Sequence, residues 1–141
     1  MHGHGGRSVP QRFAVALGGV ALAVVGCGTG TAHRADAAAT AVERFSAALA
    51  SGDTAAACAL LAAPTRRELQ RSAERPCAEA LGEENLPAVG TVRRTAVYGG
   101  HAEVWGAGDT VFLTDRGGTW QIVAAGCRPR RDAPYECALE G

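Results

Sequence analysis

Five cysteines, Cys27, Cys58, Cys77, Cys127 and Cys137, have the widest chemistry open to them in this chain. A thiol can attack a substrate, ligate a metal, carry a lipid or pair with another thiol, and spacing and compartment decide among these. No two of the five form a C-x2-C unit, so a zinc site has little to build on and no metal is expected. The residues able to move protons in the second half of the chain are Tyr98, His101, Glu103 and Asp109. Tyr98 and His101 flank a Gly-Gly pair and Asp109 follows Gly108, positions that turns ordinarily explain. No nucleophile elbow, H-E-x-x-H pair or dinucleotide fingerprint accompanies them, and no catalytic residue or cofactor is expected. All 14 cationic residues are Arg, which removes Schiff-base and lysine general-base chemistry altogether. Balanced by 14 acids, they leave a formal charge of +0, so nothing in the overall field calls for nucleic acid. Four aromatics, Tyr98, Trp105, Phe112 and Trp120, fall on successive strand-like stretches and are the candidate lining of a ligand site, or of the core.

The N-terminal 25 residues set the compartment. Arg7 and Arg12 precede an uncharged run from Phe13 to Val25, the n-region and h-region of an export signal. As a helix that run measures roughly 20 Å, short of a hydrocarbon core of roughly 30 Å. It ends in Val24-Val25-Gly26-Cys27, which resembles the lipobox of bacterial lipoproteins. The resemblance implies a diacylglycerol thioether on Cys27, cleavage after Gly26, and anchorage to the outer face of the cytoplasmic membrane. An ordinary cleavage site at Ala35-Asp36-Ala37 is the alternative. With Cys27 assigned to lipid, four cysteines remain in an oxidising compartment, where three pairings are open. Cys58–Cys77 and Cys127–Cys137 are expected because each closes a short local loop. Such staples suit a chain in which 30 residues are Ala and few are large and apolar.

The expected divisions are a signal peptide over 1–26, the lipidated cysteine with a flexible tether over 27–36, and a single α+β domain over 37–141. Asp36 caps an expected helix to Ala50 that presents Ala38, Val42, Phe45 and Leu49 on one face. Asp53 caps a second helix carrying Cys58, and Thr65-Arg66-Arg67-Glu68 fits a capping box for a third. A short helix with Cys77 ends at Gly82. From Val89 the period changes to two. Strands are expected over 89–98, 101–105, 110–114 and 119–125, the first two joined by Gly99-Gly100. An Arg-rich loop, Arg128-Pro129-Arg130-Arg131, then leads to a last short strand around Tyr135-Glu136-Cys137. That loop is expected to be a solvated turn, with anionic headgroups as the alternative contact.

Helices followed by a curved antiparallel meander give an α+β fold. This order resembles the NTF2-like superfamily. The Ala-Leu-Ala-Ser-Gly-Asp, Gly-Asp-Thr-Val-Phe-Leu and Trp-x-Ile-Val-Ala-Ala-Gly-Cys segments are similar to small secreted lipoproteins of high-GC bacteria. The resemblance implies a non-catalytic, lipid-anchored envelope protein that binds a small ligand or an envelope partner. Its alternative is a small cone-fold enzyme of the isomerase or dehydratase type, in which Glu103 or Asp109 would be the buried acid or base.

Overall fold

In the computed structural model the residues described are Gly28–Gly141, together with Gly3 and Gly5. Cys27 and the expected signal peptide, apart from Gly3 and Gly5, lie outside them. The order is four helices and then five strands: α1 (Gly28–Ala50), α2 (Thr54–Ala59), α3 (Ala63–Ala73), α4 (Cys77–Glu83), β1 (Val92–Tyr98), β2 (His101–Gly106), β3 (Thr110–Arg116), β4 (Thr119–Arg130) and β5 (Ala133–Glu140). The strands form one antiparallel meander in sequence order, so the α+β architecture is as expected.

α1 lays Ala38, Ala41, Val42 and Phe45 onto one face of the sheet, against Ala102, Val104, Val111, Leu113 and Ile122. These positions recur at three and four residues, the stripe that faces a helix toward a core. Gly52 ends this region at φ +74, and Asp53 accepts a hydrogen bond from the Ala56 amide as the α2 cap. Two expectations about the helices are corrected. Residues 28–36 are helical instead of a flexible tether, so Asp36 lies inside α1 and does not cap it. The helix is held there from outside, because Arg34 donates to the Gly99 carbonyl at 2.7 Å and to Asp115 at 3.2 Å, while its guanidinium lies over the Trp120 ring. The capping box at Thr65 does not form either. α3 starts earlier, with Ala62 as its N-cap and Pro64 in the first turn, where a missing N–H costs nothing. Thr65 is fully buried and donates to the Val123 carbonyl, and Glu68 pairs with Arg71.

β4 and β5 are longer than expected. Arg128, Pro129 and Arg130 belong to β4 rather than to a loop, and β5 is a full strand. Pro129 is tolerated because the β4–β5 register shifts between Arg128 and Arg130, which relieves its missing N–H of a ladder bond. Where β5 ends, the backbone of the α2–α3 linker takes over the β4 edge. The Ala62 amide donates to Ile122 at 2.8 Å and the Ile122 amide to Leu60 at 2.9 Å.

Both expected disulfides are present. Cys58–Cys77 ties α2 to α4, and Cys127–Cys137 joins directly opposed residues of β4 and β5. Among the described residues no helix is long and apolar enough to cross a membrane. With a sequence separation of 19, the helix-to-helix staple is expected to contribute about 3 kcal/mol by loop closure. Replacing Cys58 and Cys77 together by Ala should lower the unfolding free energy by about that amount in urea titrations.

Candidate functional site

The sheet has one face under the helices and one face free of them, and alternation along each strand assigns every candidate to a face. Trp120 pairs with Asp115 across β3–β4 and is buried in the core with Leu113 and Ile122. Trp105, which pairs with Thr110, and Phe112, which pairs with Glu103, lie on the helix-free face. The four aromatics therefore do not share one site. Tyr98 stands at the β1 terminus, opposite His101 and 63% exposed, apart from the rest.

The aromatic that joins Trp105 and Phe112 is Tyr135 of β5. Its ring meets Phe112 edge-on at 5.0 Å between centroids, and its hydroxyl accepts from the Trp105 indole at 3.4 Å. Arg94 of β1 places its guanidinium 3.7 Å from the centre of the Trp105 ring, a cation–π contact on the exposed side. A groove of about 540 Å3 runs along this cluster, bordered by His101, Phe112, Val123, Tyr135, Cys137 and Glu140. Glu103 sits between Ala96 and Phe112 on the same face, and its Oε1 is closed off from solvent without a hydrogen-bond partner.

Tyr135 reaches across because β4 is bent. The β3–β4 register slips twice, between Thr110 and Phe112 and between Phe112 and Leu113, so β4 carries extra residues that fold its outer half over the sheet. At the bend Gly126 has φ +67, and a Cβ there would lie 2.8 Å from the Ala138 methyl, so only glycine fits. Asp109 holds it. Its two carboxylate oxygens accept separately from the Thr110 amide at 2.7 Å and the Gly126 amide at 2.9 Å. Burial raises the Asp109 pKa against the opposing pull of the Gly126, Thr110 and Cys127 amides and of Arg128. Both oxygens are thus committed to backbone, and among the described groove-lining residues Asp109 does not figure. Arg128 and Arg130 lie in the outer half of β4, with Arg130 3.8 Å from Glu136, and Arg131 is exposed in the turn beyond. Among the described residues no three His, Cys, Asp or Glu side chains gather as a metal group.

The chain matches no protein-family model, no curated protein and no solved structure.

Tyr135 lies two residues before Cys137, and that period-two spacing put it on the face of its strand that the disulfide fixes. The bend that carries it over Phe112 has only Gly126 and Asp109 as its local trace. Asp109→Asn can accept with one oxygen only and leaves one buried amide unmet, so stability at neutral pH should fall by about 1–3 kcal/mol. Because the native carboxyl binds its proton more tightly than the unfolded one, its contribution is complete below the ordinary value of 3.8 and is lost as pH rises through the raised native value. Urea midpoints measured across that range should carry this downward slope in the wild type and lack it in Asp109→Asn.

Proposed function

We propose that this chain is a non-catalytic, lipid-anchored domain of the cell envelope that binds a small ligand or an envelope partner through the helix-free face of its sheet. The observation that carries the binding part is the cluster of Trp105, Phe112 and Tyr135 beside an open groove, outside the core that Trp120 completes. A flat apolar body can stack there on Phe112 and Tyr135, with His101 and Glu140 at the border of the groove to meet polar ends. The anchor rests on Val24-Val25-Gly26-Cys27, with two disulfides suiting an oxidising compartment. Four helices before a five-stranded antiparallel meander support the NTF2-like reading of the fold.

The unpartnered Glu103 oxygen beside Phe112 favours the second reading, a small cone-fold isomerase or dehydratase. Asp109, the carboxyl whose pKa burial raises, is engaged by backbone amides and offers Glu103 no partner acid, which weighs for the binding domain.

Cys27→Ser should release the protein from membranes or leave an uncleaved precursor, as read by fractionation and electrophoretic mobility. A mutant that fractionates and migrates like wild type would refute the anchor. For the binding face, a naphthalene sulfonate dye serves as probe. Phe112→Ala and Tyr135→Ala should each weaken its binding about tenfold, the size of one lost aromatic contact, in fluorescence titrations. Undiminished binding in both variants places the ligand surface elsewhere.

A further inference from the structure

The long axis of α1 runs from one end of the sheet to the other. Near its start, Arg34 is bonded to Gly99 in the β1–β2 turn and to Asp115 just before the β3–β4 turn. Near its finish, Ser46, Leu49 and Ala50 border a groove with Leu86, Pro87 and Gly90, the segment that enters β1. The two turns, Gly99-Gly100 and Gly117-Gly118, therefore lie at the end where α1 begins. The Arg-rich β4–β5 turn is a whole strand away, at the opposite end.

Gly28, the first residue of α1, directly follows Cys27. Arg34 lies six helical steps beyond Gly28, about 9 Å of rise. Helical side chains lean toward the N-terminus, so the Gly99 carbonyl lies nearer to the anchor residue than the Arg34 backbone does. A phospholipid headgroup layer is itself about 5–7 Å deep. Helical from Gly28 onward, α1 leaves little slack to lift the turns away from that layer. Beside Gly99 stands Tyr98, the one large hydrophobic side chain among the described residues that is left exposed. Tyr is a residue that membrane interfaces favour, since its ring is apolar and its hydroxyl stays hydrated.

We propose that the end of the domain bearing Tyr98 and the β1–β2 and β3–β4 turns faces the membrane, with the Tyr98 ring seated among the headgroups of the bilayer that holds the Cys27 lipid. This rests on the anchor reading above and adds an orientation to it. The contact is aromatic more than electrostatic, because Arg34 and Asp115 neutralise each other and leave Arg116 as the one other arginine of these two turns. The arginines of the far turn point away from the bilayer, so they are not the headgroup contact.

The test uses the full chain as processed by the cell, reconstituted in phosphatidylcholine vesicles brominated near the headgroup end of the acyl chains. Tyr98→Trp and Arg116→Trp place an indole at each membrane-facing turn, and Arg131→Trp places one at the far turn. Trp105 and Trp120 give a background common to all variants and to wild type. An acylated intact mass, with the added emission quenched by about half at the first two positions and unchanged at the third, is the expected result. Either near-turn variant suffices if the other fails to fold. Acylated protein quenched at the far turn, or at neither end, overturns the orientation while leaving the anchor standing. An intact mass without acyl chains overturns both.

Discussion

The helix-free face depends on one buried carboxylate. Asp109 closes the bend in β4 by giving separate oxygens to the amides of Thr110 and Gly126. Both amides sit where the β3–β4 register slips, and a buried N–H left unmet costs more than an ordinary hydrogen bond gains. From that bend β4 turns its outer half over the sheet, β5 follows through Cys127–Cys137, and Tyr135 arrives over Phe112 and Trp105. A site assembled from three strands is thus set by a residue that does not line it.

The rest of the domain manages with little bulk. α1 contributes alanines and only Val42 and Phe45 as larger buried groups, so close approach of helix to sheet does what large side chains do elsewhere. The Cys58–Cys77 bond ties α2 to α4, two helices of only six and seven residues. Backbone pairing of Leu60–Ala62 with Ile122 protects a sheet edge that β5 is too short to cover.

What local chemistry specifies was legible in the sequence. The Gly99-Gly100 turn, the Asp53 cap, the α1 stripe and both disulfide pairings stand where residue type and spacing put them. What distant partners decide was not. Thr65 gives its hydroxyl to Val123 rather than to its own helix, and residues 28–36 become helical against partners 65 and 81 positions away from Arg34. The separation of Trp120 from Phe112 was available from parity alone. Whether the β3–β4 turn takes two residues or four, Trp120 opposes an odd-numbered residue of β3, and Phe112 then faces the other way. The site was half legible for the same reason: Trp105 and Phe112 follow from alternation, whereas Tyr135 depends on a double register slip that no propensity encodes.

The pairing of the α2–α3 linker with β4 spans about sixty residues of chain, and the Arg34 contacts span more. Contacts so distant form slowly, because loop closure must precede the gain from pairing. For a chain exported as proposed, the four helices cross the membrane first, with their alanine-rich stripe uncovered and no strand yet there to receive it. Ile122, which the linker needs, follows it by about sixty residues. In a chain exported as proposed, native topology therefore keeps the precursor open while it is still threading, and folding is postponed to the far side.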